Sequence, residues 1–297
     1  MPRNVRRIIN ESRCLFQEAD AVLIVCGAGM SVDSGITTYR GKNGLWTKEI
    51  QIGKDKFSYD EISSLKMWKE RPDIAWGFKA SFYNNMVNAE PHSGYYQLLE
   101  ALEGHVEYFV ATSNIDGYFL RAGYNPDRIY EVHGSMNNLQ CMNKKCNIAN
   151  GVSQITKNDI PQFDENTFVA EWLPKCSHCG SMSRPNVSMF GDVEFYGKPY
   201  EHQRRRLNLW LENMKRRDKK LVIIEIGCGI NPHSLRMVDG KMMSGEWKLP
   251  VFDTNIGTIR INPEEEFNDE HSKLHHIPMG AKKGIHVLLE GKQSVRD

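Results

Sequence analysis

The sequence lacks a long apolar segment. None of its apolar runs approaches the roughly 18 residues of a membrane-spanning helix, and the arginine-bearing first residues contain no apolar signal-peptide core. Charge of one sign is not in excess either, because the formal net charge of the 297 residues is +1. That balance gives no argument for nucleic acid or a membrane as partner. We therefore expect a cytoplasmic protein with no membrane partner.

A disulfide framework is not expected, because the cysteines number seven and two of them, Cys26 and Cys228, lie in strand-like segments. The others include two pairs. Four residues separate Cys141 from Cys146, two separate Cys176 from Cys179, and 29 lie between the pairs. Four thiolates at such spacings can meet at one tetrahedral Zn²⁺ with no open coordination position. The pattern favours a structural zinc site over two disulfides or four free thiols.

The sequence also lacks internal repeats and low-complexity linkers. Charged residues make up 25% and apolar residues 40%, which is typical of a globular protein with a buried core, and the length allows two domains or one large α/β unit. Short apolar runs rich in Val and Ile predict strands at residues 21–26, 105–112, 128–132, 221–226, 258–262 and 274–277. Helical spacing predicts helices at residues 4–19, 198–219 and 280–289.

Residues 21–41, AVLIVCGAGMSVDSGITTYRG, combine a buried strand with a glycine turn. Gly27 and Gly29 at the end of the strand allow a tight turn and bring backbone N–H groups close to a phosphate. The generic dinucleotide fingerprint needs a third glycine at position 32, where this chain has Val32. By itself, the pattern also fits an ordinary strand-to-helix turn.

Polar residues follow two further strands of the predicted sheet. Asn114 and Asp116 come after residues 105–112, and His133 precedes Gly134 after residues 128–132. Open α/β sheets bind ligands at the carboxyl ends of their strands, so these side chains are candidate site residues. A single His is more often structural than catalytic, but its position before a glycine at a strand end favours a functional role.

Three other segments complete the prediction. Residues 45–90 are rich in aromatics at helical spacing and predict a small helical insertion. Residues 184–192, RPNVSMFGD, predict an apolar strand that returns to the main sheet. The basic runs at 204–206 and 215–220 suggest a nucleic acid partner or a localisation signal, but a solvated helix face with a basic C-terminus is the favoured interpretation.

Taken in order, the motifs resemble those of the sirtuin (Sir2) family of NAD-dependent protein deacylases over nearly the whole chain. They are GAGMSVDSGITTYRG, TSNID, HG, the two cysteine pairs, RPNVSMFGD, IGCG and IRIN. The resemblance implies an α/β fold: a Rossmann-like parallel sheet with helices on both faces, plus a small zinc-binding and helical lobe. It divides the chain into a Rossmann-like NAD-binding domain (1–44, 91–136 and 185–297), the helical insertion (45–90) and the zinc knuckle (137–184).

The resemblance also implies roles for residues that match the family's motifs. The expected catalytic residues are His133, Asn114 and Asp116, with His133 as the general base. Asn114, Ile115 and Asp116 are expected to form the pocket for the nicotinamide carboxamide. NAD is expected to contact Gly27, Ala28, Gly29, Ser31, Ile36, Tyr39, Arg40, Asn114, Ile115, Asp116, Gly227, Cys228, Asn262 and Ala281. An acylated peptide is expected to add as a strand along Val187, Met189, Phe190 and Gly191, and Zn²⁺ is expected at Cys141, Cys146, Cys176 and Cys179.

The implied activity is NAD-dependent deacylation of protein lysines by a transferase-class enzyme that releases nicotinamide and O-acyl-ADP-ribose. Its partner is an acylated protein or peptide; a nucleic acid partner is disfavoured, and the sequence gives no indication of the oligomeric state. The chain departs from the family pattern around NAD, at Thr37, Thr38, Ser113, Cys228 and Gly229. Protein ADP-ribosylation, NAD hydrolysis and a non-catalytic NAD-sensing role are the alternatives that use the same pocket.

Overall fold

The computed structural model describes residues 1–36, 49–104, 106–229, 236–238, 241–244, 247–249, 255–263 and 273–290. Its helices are α1 (Arg3–Gln17), α2 (Tyr59–Ile62), α3 (Leu65–Glu70), α4 (Pro72–Asn88), α5 (Ser93–Leu102), α6 (Tyr118–Arg121), α7 (Lys144–Asn150), α8 (Lys198–Arg216) and α9 (Ala281–Leu289). Its strands are β1 (Ala21–Cys26), β2 (Ile50–Ile52), β3 (Asp55–Phe57), β4 (Glu107–Thr112), β5 (Ile129–Glu131), β6 (Gly134–Cys141), β7 (Ser153–Gln154), β8 (Ser183–Val187), β9 (Leu221–Ile226), β10 (Arg236–Val238), β11 (Lys241–Ser244), β12 (Trp247–Leu249), β13 (Asn255–Ile261) and β14 (Leu274–Ile277).

The main sheet is six-stranded and parallel, in the order β14-β13-β9-β1-β4-β5. Strand β1 is central. Its last residue, Cys26, pairs with Thr112 of β4 on one side and with Ile226 of β9 on the other. Every residue of β1 is buried, which explains its continuous apolar sequence. The carboxyl ends of these strands therefore meet at one edge, where the predicted site residues follow.

Helices cover both faces of this sheet, as predicted. On one face α1, α5 and α9 pack their apolar residues against Val22 and Ile24 of β1. On the other face α8 packs Leu207, Trp210 and Leu211 against the alternate side chains of β1. The alternation follows from the two-residue repeat of a strand, and the spacing of the α8 residues is that of one helix face.

The residues after the HG turn form a second, antiparallel sheet in the order β7-β6-β8. The prediction that residues 184–192 return a strand to the main sheet is wrong, because β8 pairs with β6, from Ser183 opposite Cys141 to Val187 opposite Gly134. Strand β6 leads into the cysteine region and β8 leads out of it, so the two run side by side in opposite directions and satisfy each other's backbone groups.

Residues 49–90 form the hairpin of β2 and β3 followed by α2, α3 and α4. Their apolar side chains share a core with Leu139 of β6 and Ala170, so this insertion packs on the cysteine-bearing region. The predicted division into domains stays a prediction, and its first boundary, between residues 44 and 45, lies outside the described residues. Over the described ranges, no helix combines the length and the apolar character that crossing a bilayer requires.

Candidate functional site

The glycine turn after β1 packs directly on the turn after β9. A Cβ atom on Gly29 would lie 2.6 Å from the Gly227 Cα atom, and one on Gly27 would lie 2.6 Å from the Gly227 carbonyl oxygen. The N–H groups of Gly27 and Gly29 donate to the carbonyls of Ile226 and Gly227, both at 3.0 Å. These N–H groups are therefore not the free phosphate donors that the sequence suggested. The glycines are required because two backbones cross at contact distance.

His92 fastens this turn to helix α5. Its Nδ1 atom accepts a hydrogen bond from the Gly94 N–H (3.0 Å), so its Nε2 atom carries the proton and donates to the Met30 carbonyl (2.8 Å). The His92 N–H also donates to the Ser34 hydroxyl (2.9 Å). Burial lowers the pKa of His92, which keeps the neutral tautomer. Sequence reasoning missed this residue because its partner Met30 lies 62 residues away in the chain.

Ser31, Asn114 and Asp116 meet at the carboxyl edge of the main sheet. The Ser31 hydroxyl donates to Asp116 Oδ2 at 2.6 Å, and Asn114 Nδ2 donates to Ser31 Oγ at 3.0 Å. Asp116 Oδ1 accepts from the Tyr118 N–H at 2.9 Å. All three site residues are buried, and burial raises the pKa of Asp116. We call these three residues the SND cluster.

The SND cluster retains one unfilled acceptor. Asn114 Oδ1 is buried, and no described residue donates a hydrogen bond to it. A buried acceptor without a partner costs free energy, so it fits a ligand that brings an N–H group, such as a carboxamide. The neighbouring Ile115 is buried in the core, and its carbonyl accepts from the Met136 N–H at 2.9 Å.

His133 lies just beyond β5, half-buried, at the same edge of the sheet. Its surroundings lower the pKa of the imidazole by desolvation, so the ring is neutral near pH 7 and can accept a proton. Gly134 has a φ of +84°, and a Cβ atom there would lie 2.2 Å from the Asn186 carbonyl oxygen. The HG pair therefore needs its glycine for the turn from β5 into β6.

A second buried carboxyl group stands two residues before His133. Glu131 accepts a hydrogen bond from Gln203 Nε2 at 3.2 Å and another from the Ser135 hydroxyl. Burial raises its pKa to about 7, and the charge of Asp116 adds to the effect. No motif in the sequence points to this residue, because Glu131 ends a short strand and its partner Gln203 is 72 residues away.

Residues 187–191 cross from the small sheet towards the helical insertion. Two of their N–H groups are paired within the chain: Ser188 donates to the His133 carbonyl (2.9 Å) and Phe190 to the Ser63 carbonyl (3.1 Å). Val187 is buried in the main core, and Met189 Sδ accepts from Trp68 Nε1 at 2.8 Å. A peptide adding along this segment would have to use the backbone groups between these bonds.

A buried ion pair closes the same segment into a loop. Arg184 Nη2 lies 2.9 and 2.8 Å from the two carboxylate oxygens of Asp192, and both side chains are fully buried. Arg184 Nη1 also donates to the Val187 carbonyl at 3.2 Å. Gly191, just before the carboxylate, has a φ of +64°, a conformation that favours glycine. The ion pair therefore fixes the path of the segment predicted to bind the peptide.

The four cysteines predicted as metal ligands come together. Their sulfur atoms all lie within 4.8 Å of one another, with Cys141 and Cys179 3.5 Å apart and Cys146 and Cys176 3.6 Å apart. Four thiolates at a zinc–sulfur distance of about 2.3 Å would be separated by about 3.8 Å in a tetrahedron. The observed spacing fits that geometry, and four protein ligands leave no position for a reacting water.

The remaining predicted cofactor residues are spread over the same edge. Ala28 is half-buried, and the Ile36 N–H donates to the Ser31 carbonyl at 3.3 Å. Asn262 Nδ2 donates to the Cys228 carbonyl at 3.0 Å, which ties β13 to the turn after β9. Ala281 begins α9, whose next N–H, from Lys282, donates to Asp33 at 2.8 Å. Tyr39 and Arg40, with Thr37 and Thr38, lie outside the described residues.

Basic residues in and just after α8 make local contacts. Arg206 donates to the carbonyls of Pro126 and Asp127, Arg217 pairs with Glu107, and Lys219 lies 3.9 Å from Asp20. These contacts tie α8 and the residues that follow it to neighbouring segments, and the interpretation of the runs as a solvated face stays a prediction.

The order of these elements matches a known family. The model of the Sir2 family matches residues 27–207, which is more than half of the chain. The chain belongs to the Sir2 family. Solved Sir2 structures share the fold: a structure described as a complex of a Sir2 homolog with NAD has a TM-score of 0.63 at 20% identity and covers 94% of this chain and 92% of its own.

Curated relatives of this Sir2-family chain carry the name NAD-dependent protein deacylase. The one from Leptospira interrogans serovar Lai is 28% identical over 266 residues, which is 88% of this chain and 87% of the relative. The "NAD-dependent protein deacylase 2" of Pseudomonas syringae pv. tomato is 30% identical over 178 residues, 60% of this chain. The match spans slightly less than two thirds of the Pseudomonas relative, at 65% of its length.

Proposed function

We propose that this Sir2-family chain is an NAD-dependent protein-lysine deacylase that releases nicotinamide and O-acyl-ADP-ribose. The observation that carries the proposal is the SND cluster with its unfilled acceptor, Asn114 Oδ1, at the sheet edge that also presents His133. The names of the relatives support the same activity. We propose acylated proteins or peptides as substrates, in line with a Sir2 structure, covering 96% of this chain, that is described as holding a deacetylated p53 peptide.

The proposed reaction depends on NAD and on three side chains of the protein, each with its own role. NAD, when bound, would supply the electrophilic ribose carbon and the nicotinamide leaving group. Asn114 Oδ1 would accept an N–H of the nicotinamide carboxamide and so orient the leaving group. Asp116 places negative charge in a buried site, where it favours positive charge developing on the ribose. His133, neutral near pH 7, accepts the proton of a ribose hydroxyl.

The peptide is held beside these groups by residues 187–191. The Ser188 N–H donates to the carbonyl of His133, the proposed base. This hydrogen bond joins His133 directly to the segment proposed to bind the peptide. Backbone pairing with an extended peptide recognises no particular side chains, so this pairing would not by itself select one peptide sequence. Phe190 and Gly191 are exposed at the end of the segment, where a peptide could enter.

We propose a structural zinc ion at Cys141, Cys146, Cys176 and Cys179, and a cytoplasmic location. A reducing cytoplasm keeps the four thiols available as metal ligands. The zinc ion would join the end of β6 to α7 and to the turn that leads into β8. It would thereby hold the small sheet from which residues 187–191 emerge.

Product analysis tests the proposal. The full chain would be incubated with NAD and acetyl-lysine, long-chain acyl-lysine or unacylated peptides, and the products would be followed by mass spectrometry. Deacylation gives nicotinamide and O-acyl-ADP-ribose in step with loss of the acyl mass from the peptide. Nicotinamide release that is the same without any acyl peptide would instead indicate NAD hydrolysis or ADP-ribosylation.

A further inference from the structure

Tyr95 lies behind the SND cluster and belongs to no motif. It comes from helix α5, is fully buried, and places its hydroxyl oxygen 3.1 Å from Ser31 Oγ. Its ring packs edge-on against Tyr118 and Phe119, with centroid distances of 6.0 and 5.0 Å. The aromatic contacts fix the ring, so the hydroxyl points at one target.

The direction of each hydrogen bond follows from the number of protons. An ionised carboxylate only accepts, so the single proton of the Ser31 hydroxyl is used in its 2.6 Å bond to Asp116. Ser31 Oγ can then only accept from its other two neighbours, Asn114 Nδ2 and the Tyr95 hydroxyl. A hydroxyl oxygen has two lone pairs, and these two donors fill both. Tyr95 therefore completes the hydrogen bonding of Ser31.

We infer that Tyr95 is a positioning residue for NAD use, acting through Ser31. Its hydroxyl fills the second lone pair of Ser31 Oγ and so keeps the serine proton directed at Asp116. The bond from Asn114 Nδ2 to the same oxygen fixes the amide and leaves Oδ1 directed away from Ser31, as the acceptor for the ligand. The inference rests on the proposed use of this cluster for NAD.

Removing the tyrosine hydroxyl weakens the whole chain of hydrogen bonds, because bonds in series polarise one another. Ser31 then donates less strongly to Asp116, the charged form of this carboxyl loses stabilisation, and its pKa rises further. The Asn114 amide also gains freedom to turn. Both changes weaken NAD binding without removing any group that touches the cofactor.

The test compares Tyr95→Phe with Tyr124→Phe. Tyr124 is an equally buried neighbour in the same aromatic group, and its hydroxyl donates to the Tyr95 backbone carbonyl at 2.9 Å instead of to Ser31. NAD affinity is measured by calorimetry, and steady-state kinetics give the KM for NAD, kcat and the pH profile. We expect Tyr95→Phe to weaken NAD binding by about 2- to 13-fold, the worth of one hydrogen bond, and to move the acid limb to higher pH. Tyr124→Phe should change neither.

A double-mutant cycle separates action through Ser31 from a loss of packing. In a Ser31→Ala background, Tyr95→Phe should cause no further loss of NAD affinity, because the oxygen it acts on is gone. Equal NAD affinity and equal acid limbs for Tyr95→Phe and Tyr124→Phe would overturn the inference, as would additive losses in the cycle. Calorimetry with NAD reports on Tyr95 even if none of the acyl peptides is a substrate, so failure of the proposed deacylation is distinguished from failure of this inference.

Discussion

Gly29 and Glu131 lie at the carboxyl edge of the main sheet, and the structure predicts how substituting either residue changes the stability of the fold. Gly29 has no space for a side chain, because the Gly227 backbone occupies the position of its Cβ atom. Glu131 is a carboxyl group buried two residues before His133, the proposed base of the reaction. The prediction for Gly29 concerns one added methyl group, and the prediction for Glu131 concerns one bound proton.

Gly29→Ala should destabilise the protein by about 1–3 kcal/mol, since an added methyl group in a packed region forces the backbone to move. The contact to be relieved is 2.6 Å, and it joins two backbones instead of a flexible side chain. Gly229→Ala is the matched control, because a Cβ atom there has no neighbour within 4 Å among the residues that the structure describes. Urea unfolding of both variants checks this; equal midpoints would show that the Gly29 turn has room.

Glu131 should make stability depend on pH. Its pKa is about 7 in the folded chain against a usual value of 4.5, so the folded state binds the proton more tightly than the unfolded state. The free energy of unfolding should therefore fall as pH rises from about 4.5 to about 7. Glu131→Gln should flatten that slope, and unfolding curves across this pH range measure it. An identical slope in the variant would place the titrating group elsewhere.

Three kinds of contact hold residues 184–192 in place, and this stretch includes the segment proposed to bind the peptide. Strand β8 pairs with β6, the Arg184–Asp192 ion pair closes the loop that follows, and the Ser188 N–H joins the segment to His133. Because each of these contacts holds β8 or the residues after it in place, loss of one should disturb peptide binding as well as stability.

Asp192→Asn should cost about 3–5 kcal/mol, because it leaves the Arg184 charge buried without its counter-ion. Glu194→Gln, two residues further on, removes the more exposed ion pair with Lys69 and should cost less than about 1 kcal/mol. Chemical denaturation compares the two variants, and the KM for an acyl peptide should rise only for Asp192→Asn. Equal costs would mean that the buried pair does not hold the loop.

Removal of the metal should loosen the same elements. A strong chelator is expected to extract one zinc ion per chain and to lower the midpoint of thermal unfolding, because the four thiolates no longer bridge β6, α7 and the turn before β8. Elemental analysis gives the zinc content and calorimetry the midpoint. Cys14→Ser, a change at an exposed cysteine outside the cluster, is the control and should retain the zinc. A metal-free chain with an unchanged midpoint would contradict a structural role.

At the scale of the whole molecule, the sequence predicted the features that are determined by residues close to one another in the chain. The apolar run of β1, the stripe of α8 and the spacing of the cysteines each carry their own signal, and the structure bears out the parallel sheet, its two helical faces and the four-cysteine cluster. The partner of β8 was missed, because an apolar strand fits either sheet. His92 and Tyr95 were missed since their partners, Met30 and Ser31, are 62 and 64 residues away.

His133 lies in the connection between β5 of the main sheet and β6 of the small sheet, so both sheets position it. With His133 as the base of an acyl-peptide-dependent reaction, we expect its proton transfer to be worth about 10²- to 10⁴-fold in rate. Since desolvation lowers its pKa below 6.5, protonation of His133 should slow the wild-type reaction only in the acid range beneath that value.

The most direct test measures O-acyl-ADP-ribose formed from NAD and an acetyl-lysine peptide by the wild-type chain and by His133→Ala. We predict a product from the wild type that requires the acetyl group, and a loss of about 10²- to 10⁴-fold in kcat for the variant with an unchanged unfolding midpoint. Near-normal deacylation by a folded His133→Ala variant, or nicotinamide release independent of the acetyl group, would contradict the assignment of His133 as the base of a deacylase.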